Sequence, residues 1–370
     1  MDPRAYWVGF NLVKGIGAVR MQGLLDYFGD LAVAWQAPLE GLQAAGLPAK
    51  VAENVLQVRA GVDLQLTWDQ IQKKGIQVLT RLDEDYPARL KEIDQPPPVL
   101  YLRGKLLPED GWAVAVVGTR RVTVYGRQVA EEIAGFLAAQ GVVVVSGLAR
   151  GVDAVAHEAA LKAGGRTFAV LGSGVDRIYP PENQRLAEKI TAQGALISDY
   201  PPGTPPDGVN FPPRNRIISG LAMAVVVVEA GETSGALITA TFAGEQGRDV
   251  FAVPGGIHAP QSVGANRLIQ QGAHPLLRPE DILDALNLRL IPEKRTARAA
   301  LPADPVEAQL YAQLGKEPRH VDEIRLLTGL PIEIVSATLT IMELKGIARQ
   351  VGPMFYVSAR EKPENYEVEA

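Results

Sequence analysis

The residues with the clearest chemical potential are arginines set among glycines and aromatic rings. Residues 117–126 read VGTRRVTVYG, 146–153 SGLARGVD, 171–180 LGSGVDRIYP, 229–239 EAGETSGALIT and 253–260 VPGGIHAP. Each follows a short, valine-rich run. One glycine after a strand is commonly only a turn, but five such loops on one sheet edge let backbone amides approach a ligand closely. The same loops carry Arg120, Arg121, Arg150 beside Gly151, and Arg177. The expected ligand is therefore anionic.

A sixth stretch, VNFPPRNRIISG (209–220), adds Arg214, Asn215 and Arg216 behind paired prolines. Pro212 or Pro213 suits the first turn of a helix, where a missing amide costs nothing. The three polar residues then sit at a helix N-terminus, where the dipole already favours anions and guanidinium forks grip phosphate oxygens. Phosphate contact is expected of Arg216. For Arg214, phosphate contact and a pinning ion pair with Glu229 or Asp199 both stand.

No GxxxxGK[ST] is present, which disfavours a P-loop ATPase, and the first turn has Gly118 and Gly126 rather than GxGxxG, which disfavours a dinucleotide cofactor. His157, His258, His274 and His320 show no metal-ligand spacing. Ser173 and Ser234 lack a nearby base, so hydrogen bonding to phosphate suits them better than nucleophilic attack. No catalytic residue, metal or cofactor is expected. Tyr125, Tyr179, Tyr200 and Phe211 lie beside the glycine loops. Rings interleaved with arginines suit single-stranded nucleic acid, whose bases stack while its phosphates are neutralised. Stacking is expected of Tyr179 and Phe211, loop packing of Tyr200.

Positioning these residues requires a sheet with both faces covered. WAVAVVG, VVVVSG, RTFAVLG, GALIS, MAVVVVEA and RDVFAVPG are apolar runs without polar alternation, separated by helical stretches such as GRQVAEEIAGFLAAQG. That pattern predicts a doubly wound, mostly parallel α/β domain over 112–287, with ligands beyond the carboxyl ends of its strands. Residues 1–80 read as a small helical domain, 81–111 as a proline-rich connection, and 288–303 as a linker. A winged helix is expected over 304–360, with a charged, disordered tail over 361–370.

The 370 residues carry a formal net charge of −5 and no cysteine. A disulfide scaffold, thiolate metal site and cysteine nucleophile are excluded. The acidic balance disfavours a protein coated in basic surface for duplex DNA, but allows one local anion site. Neither a signal peptide nor a membrane span is visible, so a cytoplasmic protein is expected.

VAVVGTRRVTVYG, SGLARGVDAVAHEAAL, GSGVDRIYPPEN, FPPRNRIISGLA, EAGETSGALITA and FAVPGGIHAPQSVGANRLIQQGA together resemble the DprA/Smf family of DNA-processing proteins. The resemblance runs almost unbroken over 112–287 and more weakly into both flanks. It implies an extended Rossmann-like domain that binds single-stranded DNA, protects it and helps load RecA recombinase during natural transformation. It also implies dimerisation through the central domain and no enzymatic turnover. By position, the family's G-S-R motif falls on Gly118, Thr119 and Arg120, with threonine for the usual serine. Its R-N-R motif falls on Arg214 to Arg216, its S-G-A-L stretch on Ser234, Gly235, Ala236 and Leu237, and its basic position before I-Y-P on Arg177.

In the flanks, GIGAVRMQGLLDYFG fits either a helix–hairpin–helix (SAM/HhH-like) phosphate contact or plain packing. The helix PIEIVSATLTIMELKG has too few cations to read a major groove, so the winged helix is expected to contact protein or regulate. Two rivals from other classes remain. One is a phosphoribohydrolase-type enzyme on free nucleotides, suggested by VPGG together with Glu229. The other is a scaffold that binds only proteins.

Overall fold

The computed structural model describes residues 1–288, 305–315, 317–344, 348–352 and 354–358. They fall into two units, divided after Leu288. In the first, nine strands form one sheet: β1 (Gln77–Thr80), β2 (Val99–Gly104), β3 (Ala113–Val117), β4 (Val143–Ser146), β5 (Thr167–Val170), β6 (Ala195–Ser198), β7 (Ala224–Val227), β8 (Asp249–Ala252) and β9 (His274–Pro275). Their order is β1-β2-β6-β5-β4-β3-β7-β8-β9. From β6 to β9 the strands pair in parallel, while β2 and β1 add an antiparallel edge. All six apolar runs became strands. The residues of β3 to β7 are all buried, as a sheet covered on both faces requires.

Two strands lie upstream of residue 112, where the sequence places the start of the α/β domain. QVLT, assigned to the helical region, is β1; VLYL, inside the proline-rich connection, opens β2. The β2 strand joins the sheet through β6, with Tyr101 opposite Ser198 and Gly104 opposite Ala195. Residue 80 is no seam either. Phe10, Leu24, Trp35 and Val55 from the N-terminal helices share one core with Val99, Ala169, Leu171 and Ile190. Tyr101 donates its hydroxyl to Asn11 Oδ1 across that junction at 2.8 Å. The opposite face packs Leu90, Ala115, Val145, Ile217, Val225 and Ala240 into a second core.

Helices Val124–Ala139, Val152–Lys162, Gln184–Gln193, Phe211–Leu221, Gly235–Glu245 and Val263–Gln270 follow β3 to β8 in turn. Their N-termini therefore gather at the carboxyl edge of the sheet. From β3 the chain builds outward through β4, β5 and β6, then returns to place β7 on the other flank of β3. The switch point between β3 and β7 is where such sheets open a binding crevice.

The second unit packs helices Pro305–Gln313, Val321–Thr328 and Ile332–Leu344 against β10 (Arg319–His320), β11 (Ala348–Gly352) and β12 (Phe355–Ser358), ordered β10-β12-β11. Leu310, Ile324, Val335, Leu339 and Met342 form its core. Gly329, at φ 69°, ends helix Val321–Thr328 in the left-handed conformation that glycine tolerates. This is the expected winged helix. The tail over 361–370, and the linker over 288–303 apart from Leu288, lie outside the described residues. Among the described residues no single helix is long and apolar enough to cross a membrane.

Candidate functional site

At the carboxyl edge lies a cleft of about 980 Å³, lined from the loops after all six strands β3 to β8. Gly118, Thr119, Arg120, Tyr179, Phe211, Arg214, Asn215, Ser234 and Gly235, all selected from sequence, line it. The loops brace one another. Thr119 donates its amide to Glu229 O at 2.8 Å, tying the turn after β3 to the turn after β7. Gly151 has φ 78°, and a Cβ there would lie 2.3 Å from Thr119 O, so only glycine lets the two loops meet.

Phe211 organises the cleft. Its ring lies 5.7 Å from that of Tyr179, tilted by 34°. The guanidinium of Arg120 stands 5.8 Å, and that of Arg214 5.9 Å, from the same ring, within cation–π range. A Cβ on Gly172 would sit 2.8 Å from Phe211 Cδ1, so the bare glycine seats the ring. Tyr179 remains 37% exposed, and Arg120 and Arg121 are exposed without an ion pair among the described residues. Of the lining carboxylates, Glu232 is held by Arg267 at 2.9 Å and Asp153 is buried beneath the floor. Helix Gly235–Glu245 opens into the cleft, its first turn capped by Ser234, which accepts the Ala236 amide at 3.3 Å.

The RNR arginines divide. Arg214 is only 5% exposed and donates Nη1 to Gly147 O at 2.9 Å and to Val170 O. Its guanidinium nitrogens and Asp153 Oδ2 each lie 2.8 Å from where a Cβ on Gly147 would stand, so cation and carboxylate flank one glycine. Burial pushes Arg214 down to about 10, against the pull of Asp153. Burial also raises the Asp153 carboxyl, opposed by Arg214 and by the amides of Ala149 and Gly147. Arg216 does not line the cleft. It pairs with Asp199 at 2.8 Å and reaches Gln95 O, fastening the β6 loop to the segment before β2. Arg216, of which phosphate contact is expected, is thus found in the alternative pinning arrangement, with Asp199 as its partner.

Three other selected residues also lie outside the lining. Arg150 is paired with Glu182, Gly151 is consumed by loop packing, and Arg177 is exposed on the segment leading to Tyr179. Glu229, the hook for the enzyme rival, is buried and fully engaged. Its Oε2 accepts the Thr123 amide at 3.0 Å and its Oε1 the Thr123 hydroxyl at 2.5 Å, while Thr123 caps helix Val124–Ala139.

Sequence reasoning passed over Asp153 and read His157 only as no metal ligand. The acid following a glycine loop was a signal for Asp153; nothing local distinguishes His157. His157 is fully buried, its Nδ1 2.7 Å from Thr167 Oγ1, whose own proton goes to Val144 O. The ring is therefore the Nδ1–H tautomer, with Nε2 bare. Burial, with a smaller push from Arg214, lowers it from 6.5 to about 3. The unfolded chain takes up this proton near pH 6.5, while the folded chain refuses it until about pH 3. Stability from this group is complete above pH 6.5 and is lost as pH falls through that window, at up to about 1.4 kcal/mol per pH unit. Urea unfolding at several pH values is expected to show this slope, and His157→Gln, which cannot titrate, to flatten it.

The family described as DNA recombination-mediator protein A matches residues 77–287, the span from β1 to the end of the first unit. The chain belongs to the DprA/Smf family. The family's winged-helix domain matches residues 294–352. Protein Smf of Synechocystis is 36% identical, over 95% of this chain and 98% of its own length. DNA processing protein A of Streptococcus pneumoniae superimposes with a TM-score of 0.68 at 34% identity, covering 76% of this chain and 97% of that one. DNA processing protein A of Helicobacter pylori, whose structure is described for its single-stranded DNA binding mode, gives 0.52 at 30% identity, covering 57% and 95%. The start of the family match at residue 77 coincides with β1, so the DprA/Smf core includes the antiparallel edge.

Proposed function

We propose that the protein holds single-stranded DNA in this cleft and acts by positioning it, without catalytic turnover. The observation that carries the proposal is the cluster of Tyr179, Arg120 and Arg214 about Phe211, a ring and two guanidinium groups each within 6 Å of the Phe211 ring at a sheet switch point. Bases stack on the rings, while Arg120, Arg121 and the start of helix Gly235–Glu245 take the phosphates, and Gly118 and Thr119 shape the turn that carries Arg120. Asn215 donates to Gly235 O at 3.2 Å and so sets the mouth of helix Gly235–Glu245. Arg177 serves the strand outside the cleft, while Arg150, paired with Glu182, neutralises an acid beside its path. The Helicobacter pylori relative supports the ligand class.

The engagement of both Glu229 oxygens argues against the phosphoribohydrolase rival, which needs a free carboxylate beside the ligand. Family membership supports protection of incoming DNA, loading of RecA recombinase during transformation, dimerisation through the central domain and action in the cytoplasm. A strand-exchange assay without stimulation would remove the RecA assignment. Helix Ile332–Leu344 carries Glu333 and Glu343 and no cation, which supports a protein-contact or regulatory role for the winged helix. The direct test is equilibrium binding of a labelled oligothymidylate. Arg120→Ala, at an exposed position, is expected to weaken it without unfolding the protein.

A further inference from the structure

A second concavity, of about 720 Å³, runs between helices Val152–Lys162 and Gln184–Gln193. The helices follow the paired strands β4 and β5, so they lie side by side, and both start at the cleft edge. Glu182 and Asn183 stand at the upper end of this groove, Ala192 and Gln193 at the far end of the second helix. The short segment from Tyr179, in the cleft, to Glu182 and Asn183 joins the two depressions. Asn183 fixes that segment by donating to Leu148 O at 2.9 Å.

The groove is basic although the chain is acidic. Lys162, Arg185 and Lys189 line it, are exposed, and form no ion pair among the described residues. Of its two acids, Glu182 is neutralised by Arg150, leaving only Glu158. Arg185 and Lys189 are one helical turn apart, about 6 Å along the axis, and Lys162, the last residue of the neighbouring helix, lines the groove farther from the cleft. Among those described, no apolar pocket or carboxylate cluster in the groove suggests a small molecule.

We propose that this groove is a second track for the same strand: single-stranded DNA leaving the cleft past Tyr179 runs down between the two helices, its phosphates neutralised by Lys162, Arg185 and Lys189. The proposal rests on the cleft's being a single-strand site. It predicts a dependence on strand length that a single site lacks. A short oligothymidylate of about five nucleotides fits within the cleft, whereas one of about twenty spans both.

In the full-length protein, the triple variant Lys162→Ala, Arg185→Ala, Lys189→Ala is expected to bind the short strand like wild type and the long strand more weakly. The log–log salt slope for the long strand should become shallower by about 2, from three lost phosphate contacts at about 0.7 each. Glu158→Gln, which removes the groove's unpaired carboxylate, should tighten the long strand only. Unchanged long-strand binding in the triple variant, or equal loss at both lengths, overturns the second track. Failure of the cleft itself is read separately, as wild-type binding of the short strand by Arg120→Ala.

Discussion

Replacing Arg214 with alanine is expected to destabilise the first unit by about 3–5 kcal/mol, the usual cost of removing one partner from a buried charge pair. Two losses combine. The carbonyls of Gly147 and Val170 lose their shared donor, and Asp153 stays buried with neutral donors such as the Gly147 and Ala149 amides, at 3.1 and 3.3 Å, but no cation. Arg214→Lys keeps the charge, but its single nitrogen cannot reproduce the fork, so partial recovery is expected. The loss should also depend on pH. The Asp153 carboxyl, already raised by burial, rises further without its cation. A group raised in the folded state contributes stability at low pH that is lost as pH climbs through its folded value. The gap between Arg214→Ala and wild type should therefore narrow on acidification. Denaturant unfolding at neutral and acidic pH reads both effects; unfolding like wild type at neutral pH would show that Arg214 is not holding the floor.

The second large effect concerns ligand rather than stability. Phe211→Ala removes the ring that Tyr179, Arg120 and Arg214 all approach. Loss of a base–aromatic stack is worth about 1–3 kcal/mol, so affinity for oligothymidylate should fall about fivefold to 150-fold. Phe211→Tyr retains the face and should bind nearly as wild type. Equal binding by the alanine and tyrosine variants would mean that bases do not stack there, leaving a phosphate site alone.

The strands of the parallel core were legible because buried parallel strands need continuous apolar runs, and VAVV, VVVV and AVVVV admit no other placement. QVLT and VLYL were missed because an antiparallel strand at the sheet margin is set by its partner, β6 for VLYL and β2 for QVLT, not by its own pattern. The RNR motif shows what a motif leaves out. Arg214 and Arg216 are two residues apart on a helix and hence about 200° around it. Phe211, Arg214, Asn215 and Ile218 share the face that lines the cleft, while Arg216 points toward Asp199. Helical geometry alone could have separated them once the helix was placed at Phe211. The His157–Thr167 pair was beyond local reading, because burial and a partner on the neighbouring strand give that histidine its character.

Exposed cations over an aromatic platform thus grip a single strand, while buried Arg214 and paired Arg216 build the site. That grip is tested most directly by titrating salt against oligothymidylate affinity for wild type and Arg120→Ala. A protein that neutralises phosphates through Arg120 should lose affinity in the variant and show a log–log slope shallower by about 0.7. The same affinity and the same slope in a folded Arg120→Ala protein would contradict it.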